Sequence, residues 1–311
     1  MPGTEHFKLC QGHFHLSSNQ GISLDKALAS SHLSYQQARS GQTGIKNTGW
    51  YNFFVPTPFY HLSVANDLLE HPQLDDFARK RLVQNRCAFL FGNTAPDVQV
   101  ISGQSREDTH FFSLPIRNGS KQPWARLLET YPHLSNNHHL QPEQAAFVAG
   151  YMCHLQADWH WVKEIYAPYF GPTNHWGNYS EMIYLHNVLR AYLDNQVIKK
   201  LTSAPVNCLQ HVHPFQWLPF VQDKHLREWS SFLAQQLHPE GIVQTVEVFA
   251  ERQGLLPEEF YALLNSEPRL EKEVFIHFPR ELLSEYRRGL LETNISLINN
   301  YMALTSFSSS H

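Results

Sequence analysis

Residues 145–158 read Ala145-Ala-Phe-Val-Ala-Gly-Tyr-Met-Cys-His154-Leu-Gln-Ala-Asp158 and form the most apolar part of a helix predicted over 142–166. The small residues of its first half allow such a helix to lie deep among its neighbours. His154 and Asp158 are four positions apart, so they share one face of the helix. A buried histidine and a buried aspartate need partners, because an unpaired buried charge is costly. A divalent cation such as zinc would satisfy both side chains.

Three upstream segments also place histidine or aspartate in tight apolar or turn contexts. They are Thr57-Pro-Phe-Tyr-His61, Gly92-Asn-Thr-Ala-Pro-Asp97 and Asp108-Thr-His110. Each residue has a structural alternative: His154 and Asp158 could be a hydrogen-bonded core pair, Asp97 could cap a turn, and His110 could be a satisfied loop histidine. Taken together with His61, the set favours a metal site, because neutral imidazole and carboxylate are both zinc ligands.

The pattern of the whole chain predicts an all-α fold. A first helix starts after Thr57, where Pro58 suits the first turn, a second covers 75–91, and another spans 180–201. Residues 92–125 contain several glycines and prolines and are expected to form a long functional loop that holds Asp97 and His110. Amphipathic helices follow at 224–237, 240–253, 257–265 and 279–304. We expect three parts: a polar N-terminal extension (1–50), a core (51–205) and a C-terminal helical extension packed on the core (206–311).

The composition limits the partners and the location of the protein. With 42% apolar and 17% charged residues in 311, the chain is globular. A net charge of -4 indicates no basic surface, so we expect no stable nucleic-acid complex. The longest apolar run, 145–153, is far shorter than the roughly 20 residues of a membrane span. The N-terminus lacks the apolar core of a signal peptide, so we expect a cytoplasmic location unless a leader has been removed.

The cysteines are scattered along the chain, at Cys10, Cys87, Cys153 and Cys208. No CxxC pair occurs, and a disulfide framework is not expected at this length and density. Free buried thiols are therefore the predicted state. The sequence leaves the oligomeric state open.

The stretch from about residue 55 to 195 resembles the zinc-dependent phospholipase C family. It is similar to the N-terminal catalytic domain of glycosylphosphatidylinositol-specific phospholipase D. The resemblance rests on the early helix with His61, the Pro96-Asp97 loop, the step at Thr109-His110, and above all the stretch from Ala146 to His160. It implies an all-helical catalytic core with two or three zinc ions as cofactor.

The resemblance also implies roles for particular residues. The first ion would take four ligands: Asp97, His110, His154 and Asp158. Asp158 would bridge to a second ion that His61 also binds, and Asp97 would be the general base or would orient the attacking water. The ligands of a remaining ion are expected after Asp158, where the candidates are His186, Asp194, His160, Glu164 and, less favoured, His175.

This chain departs from the family at two of those positions. The family often has a histidine six residues past the aspartate, where this chain has Glu164. It also expects a histidine followed one turn later by an acid, where this chain has His186 and then Arg190, with Asp194 a further turn along. Arg106, in the predicted loop, could bind substrate phosphate, although a solvated loop charge is the simpler interpretation.

The functional prediction is a zinc-dependent phosphodiester hydrolase of the phospholipase C type. Bound metal ions activate water for attack on phosphorus and neutralise the charge that builds there. The substrate would be a phospholipid or a related head-group ester, and the head group stays open. A single-strand nuclease-like phosphodiesterase is one alternative. The other is a non-catalytic helical module that a metal ion stabilises, and the broken step at Arg190 motivates it.

Overall fold

The computed structural model describes residues 55–171, 178–201, 203–238 and 240–303. These ranges contain fourteen α-helices and no strand, which confirms the all-α prediction. The helices are α1 Pro58–Glu70, α2 Asp76–Gln84, α3 Arg86–Gly92, α4 Gln99–Ser102, α5 Arg106–His110, α6 Pro123–Thr130, α7 Pro142–Trp161, α8 Tyr179–Ile198, α9 Ser203–His211, α10 Asp223–Leu237, α11 Thr245–Gln253, α12 Pro257–Leu264, α13 Glu267–Arg269 and α14 Glu281–Ala303. Two 3-10 turns, Ala95–Val98 and Pro132–Ser135, and two π-helical segments, Val162–Phe170 and Leu270–Phe275, accompany them.

Helix α7 is the central helix of the fold, and every side chain from 145 to 159 is buried. It passes very close to α3 at two glycines. A Cβ atom on Gly150 would collide with the backbone carbonyl of Phe89, and one on Gly92 would collide with the carbonyl of Phe147. Only glycine permits this approach, so these two positions fix how α7 lies against the end of α3.

Helix α1 begins where the sequence predicts. The Thr57 hydroxyl accepts a hydrogen bond from the Tyr60 N–H at 3.3 Å, and Pro58 occupies the first turn. Leu62 and Leu68 on this helix are fully buried. The N-terminal cap therefore holds His61, one turn into α1, at a defined depth in the core.

Helix α14 packs along α7 and α1. The Tyr286 hydroxyl donates to the Ala157 carbonyl at 3.0 Å, and Arg287 forms an ion pair with Asp67 at 2.6 Å. Tyr301, near the end of α14, donates to the carbonyl of Leu134 at 2.9 Å. The first two contacts attach the last helix of the described chain to the helices that bear His61, His154 and Asp158, and the third attaches it to the 3-10 turn Pro132–Ser135.

The prediction of a long loop over 92–125 is partly wrong. Much of it is short helices: Asp97 lies in the 3-10 turn Ala95–Val98, and His110 is the last residue of α5. A capping box between Ser105 and Asp108 starts α5. The helix predicted over 75–91 is two helices, because the backbone leaves helical geometry at Asn85. The sequence analysis also missed α9, α13 and the π-helical segment Leu270–Phe275.

The prediction of free thiols is wrong for two cysteines. Cys87 on α3 and Cys208 on α9 form a disulfide with a Cα–Cα distance of 4.5 Å, although 121 positions separate them in sequence. The pairing could not be predicted, because it follows from the packing of α9 against α3. Cys153 is a buried free thiol, as expected. Cys10 lies outside the described residues.

The extension predicted over 1–50 also lies outside the described residues. The division of the remaining chain into a core and a C-terminal extension stays a prediction. None of the helices in the described ranges combines the length and the apolar character needed to cross a membrane.

Candidate metal centre

Five side chains from four elements meet around the carboxylate of Asp158. α7 contributes His154 and Asp158, whose Nε2 and Oδ2 atoms are 3.6 Å apart. His61 reaches them from α1, with its Nε2 3.2 Å from Asp158 Oδ1. His110 arrives from α5, with its Nε2 3.3 Å from Asp158 Oδ2, and Asp97 places Oδ1 3.5 Å from the same nitrogen.

This cluster contains two groups of potential metal ligands. One consists of His61, His154 and Asp158, and the other of Asp97, His110 and His154. Both groups include His154, whose Nε2 has a single lone pair and can bind only one ion. If His154 binds one ion with Asp97 and His110, then His61 and Asp158 Oδ1 are left for a second ion, while Asp158 Oδ2 faces His110 and His154.

Neighbouring groups fix the tautomers of two histidines. The Nδ1 atom of His154 lies 2.8 Å from the Asn93 carbonyl, to which it must donate, so its Nε2 keeps a lone pair when the ring is neutral. His110 Nδ1 lies 2.9 Å from the Thr109 hydroxyl, which itself lies 3.3 Å from the carbonyl of Arg106. If the Thr109 hydroxyl donates to that carbonyl, it accepts from His110 Nδ1. The Nε2 atom of His110 then also presents a lone pair.

These lone pairs suit a cation. The Nε2 atoms of His110 and His154 are 3.3 Å apart, so either a proton on His154, whose pKa is raised, or a metal ion lies between them. A tetrahedral zinc site with bonds of about 2.1 Å has ligand-to-ligand edges of about 3.4 Å. The Nε2 atom of His61 and Oδ1 of Asp158 are buried 3.2 Å apart without the geometry of a hydrogen bond. The spacing, the donor atoms and the two unsatisfied atoms all fit a metal ion.

The directions of the pKa shifts indicate which imidazoles of the cluster are neutral at neutral pH. Burial lowers the pKa of His61, and the neighbouring His154 lowers it further. Burial and the charge of Arg106 lower the pKa of His110 to about 4. Burial also opposes a charge on His154, but the carboxylates of Asp158 and Asp97 outweigh it and raise the pKa. The cluster therefore presents neutral imidazoles at His61 and His110 at neutral pH, which is the form that binds metals.

Both carboxylates of the cluster stay ionised. Burial alone would raise the pKa of Asp158 and Asp97. For Asp97 the combined effect of His154 and His110 lowers the pKa, and for Asp158 His154, His61 and Arg106 together lower it. Asp97 is the more accessible of the two, since 12% of its side chain is exposed and none of the Asp158 side chain is. Asp97 therefore lies on the side of the cluster that faces solvent.

Arg106 is a buried member of the site that the sequence analysis treated as a loop charge. Its Nη2 donates to Asp158 Oδ2 at 2.6 Å, and its guanidinium lies 4.5 Å from the centroid of the Phe112 ring. The ion pair offsets part of the negative charge that two buried carboxylates bring. The capping box at Ser105 and Asp108 was the sequence signal that places Arg106 in the first turn of α5.

His160 and Glu164 are not part of the cluster. His160 Nδ1 lies 3.4 Å from Glu164 Oε1, and their side chains are 15% and 50% exposed. Both follow Asp158 in sequence, but the chain continues from α7 into the π-helical segment at Val162. The structure therefore places them as a pair at the surface end of this helix.

His186 and Asp194 have other neighbours. The Nε2 atom of His186 accepts a hydrogen bond from the Trp161 indole at 3.1 Å, and the Phe170 ring lies 4.8 Å away. Burial, followed by the charge of Arg190, moves the pKa of His186 far below its usual value. In the described ranges, neither His186 nor Asp194 belongs to a group of His, Cys, Asp or Glu atoms close enough to hold a metal ion.

Asp194 accepts hydrogen bonds from two threonines. The Thr245 hydroxyl donates to Oδ2 at 2.6 Å, and the Thr57 hydroxyl donates to Oδ1. Burial raises the pKa of Asp194 to about 6. Asp194 thus connects α8 to the cap of α1 and to α11, a structural role that sequence spacing could not reveal. His175, the weakest candidate of the sequence analysis, lies outside the described residues.

Comparisons with known proteins give no assignment. No family model, no curated protein and no solved structure matches the chain. The buried His/Asp groups are compatible with a metal site, and the identity of the ion is open.

Proposed function

We propose that the protein is a zinc-dependent phosphodiester hydrolase of the phospholipase C type. The observation that supports it is the meeting of three imidazole Nε2 atoms with two ionised carboxylates in one buried cluster. The donor set suits zinc, and a carboxylate that can bridge two ions suits a two-metal hydrolase. The resemblance of residues 55–195 to zinc-dependent phospholipase C supplies the reaction class.

The residues that would hold the ions follow from the cluster. Asp97, His110, His154 and Oδ2 of Asp158 would hold one ion, and His61 with Oδ1 of Asp158 would begin a second site. When bound, zinc activates water and neutralises charge on a phosphoryl oxygen. Asn93 and Thr109 would keep His154 and His110 in the ligating tautomer. The roles of His160, Glu164, His186 and Asp194 as ligands stay predictions.

Asp97 is the residue best placed to act on water. Its carboxylate is ionised, and it is the one member of the cluster with appreciable exposure. It could orient a water molecule or accept its proton at the accessible side of the site.

A non-catalytic metal-stabilised helical module is the second candidate. The observation that favours it is burial: the side chains of His110, His154 and Asp158 have no exposed surface. A structural zinc site is closed, whereas a catalytic one keeps an open coordination position. The contacts of the described residues give no specific support to the nuclease alternative. Single-stranded DNA is therefore included among the substrates of the test.

The test offers zinc-loaded protein three substrates in separate assays: p-nitrophenyl phosphocholine, a lysophospholipid, and single-stranded DNA. The metal content of the same protein sample is measured alongside. We expect metal-dependent cleavage of the first two. Asp97→Asn should lower kcat by about 10²–10⁴-fold. The control Asp76→Asn changes an exposed aspartate at the start of α2 and should keep full activity.

Fully metallated wild-type protein that is inert on phosphodiesters and phosphomonoesters would favour the module. Cleavage of DNA alone would favour the nuclease.

A further inference from the structure

A separate cavity of about 260 Å³ lies between α6, α7 and α14. Trp124 and Leu128 of α6, Met152 of α7 and Leu297 of α14 give it apolar walls. None of the described residues that line it is charged. Its volume is close to the lower end of the range for small-molecule sites, about 300–1,000 Å³.

The cavity is distinct from the metal cluster, although α7 contributes to both. Met152 and Gln156 line the cavity, and each is two positions from His154. Two positions correspond to about 200° around an α-helix, so these side chains leave α7 on the face opposite to His154. The body of the helix therefore separates the two sites.

Gln156, which lines the cavity, carries an unsatisfied hydrogen-bond acceptor. Its side chain is 5% exposed, and its Oε1 atom is buried without a hydrogen-bond partner. At the start of α6, the Oε1 atom of Gln122 is in the same state and also belongs to the lining. Buried amide oxygens without donors are unfavourable, and most buried polar atoms in folded proteins are paired. A ligand with a hydroxyl or N–H group would supply the missing donor.

We propose that this cavity binds a small neutral amphiphile that combines an aliphatic chain with one hydroxyl donor. The hydroxyl donates to Gln156 Oε1, and the chain lies against Trp124, Leu128, Met152 and Leu297. The absence of charged groups from the described lining disfavours an ion as ligand, because a charge would lose its hydration without a partner. The proposal does not depend on the hydrolase activity or on the metal ions.

The test compares 1-octanol with heptyl methyl ether, which has the same number of heavy atoms but no donor. Binding to the full chain is measured by isothermal titration calorimetry. We expect saturable binding of one octanol per chain, about fivefold tighter than binding of the ether. Gln156→Leu should abolish that preference and leave the ether unaffected. Circular dichroism establishes that each variant is folded.

A second pair of variants tests the position of the binding site. This pair also tests the proposal if Gln156→Leu fails to fold. Ser296 is exposed and belongs to the lining, so Ser296→Trp should block the cavity and weaken octanol binding by at least about tenfold. Glu285→Trp places the same side chain on an exposed position of α14 outside the lining and should change nothing. Lack of saturable binding by wild type, or octanol binding that Ser296→Trp leaves intact, would overturn the proposal.

Discussion

The imidazole rings of His61 and His154 stack on each other, with ring centroids 3.9 Å apart and planes 19° apart. The two rings come from α1 and α7, and both direct Nε2 towards Asp158. Two imidazolium ions would repel each other at this distance, and the pKa of His61 is accordingly lowered by burial and by His154. At least one ring is therefore neutral, which leaves a lone pair for a metal ion.

The hydrogen bond between Thr109 and His110 should control metal affinity. Thr109→Val removes the hydroxyl partner of His110 Nδ1 while it keeps the shape of the side chain. We expect zinc affinity to fall by about 10–100-fold, because such partners fix the orientation and basicity of a ligating histidine. Competition with a zinc-binding dye measures the change.

Thr130→Val is the matched control. The Thr130 hydroxyl donates to a backbone carbonyl on α6, and the residue is exposed. Its removal should leave zinc affinity unchanged. Equal affinities for wild type and Thr109→Val would show that the hydroxyl does not orient a ligand.

Breaking the buried ion pair between Arg106 and Asp158 should destabilise the protein even without metal. Asp158→Asn leaves the buried guanidinium without its charged partner. We expect the free energy of unfolding of chelator-treated protein to fall by about 3–5 kcal/mol. Denaturant unfolding measures it, with Asp76→Asn as the exposed control, for which a loss below about 1 kcal/mol is expected. A similar small loss in both variants would contradict the buried pair.

Substitution by alanine should change the stability of the protein in opposite directions at two glycines. Gly150→Ala brings a Cβ atom against the Phe89 carbonyl and within 2.9 Å of the Asn93 side chain, so we expect a loss of about 1–3 kcal/mol. Gly289→Ala on α14 meets no neighbouring atom and should stabilise the protein by about 0.4–1 kcal/mol. Thermal unfolding of the two variants gives the comparison. A neutral Gly150→Ala would mean that α3 and α7 are not in close contact there.

The Cys87–Cys208 disulfide should contribute strongly to stability. Reduction should lower the free energy of unfolding by about 2–5 kcal/mol, since the bond closes a long loop of the unfolded chain. The double variant Cys87→Ala/Cys208→Ala should not respond to the reductant. Alkylation that labels both thiols before reduction would refute the bond.

Local signals in the sequence predicted the elements that bear the site. Thr57 and Pro58 mark the start of α1, and the four-residue step from His154 to Asp158 sets one face of α7. Such relations lie within one or two turns of chain, where helix geometry decides them. The expectation that His61 and His110 join this face came from the tight apolar or turn contexts of their segments, and the family resemblance supplied their roles as ligands, since local patterns do not specify tertiary contacts.

Relations between distant parts of the chain could not be predicted. Arg106 lies 52 positions from Asp158, and its burial depends on how α5 packs beside α7. The Trp161 indole, on another helix, donates to the Nε2 atom of His186. The pairing of Asp194 with Thr57 spans 137 positions. In each case the partner comes from a distant part of the chain, so local spacing does not specify it.

The most direct test of the account is the metal content of protein purified without chelator, measured by inductively coupled plasma mass spectrometry. We expect two zinc ions per chain, with a loss of metal in His154→Gln, whose imidazole belongs to both groups of potential ligands. Glu285→Gln, at an exposed position of α14 outside the cluster, should retain the wild-type content. A folded wild-type protein that contains no metal and takes up no added zinc would contradict the metal centre.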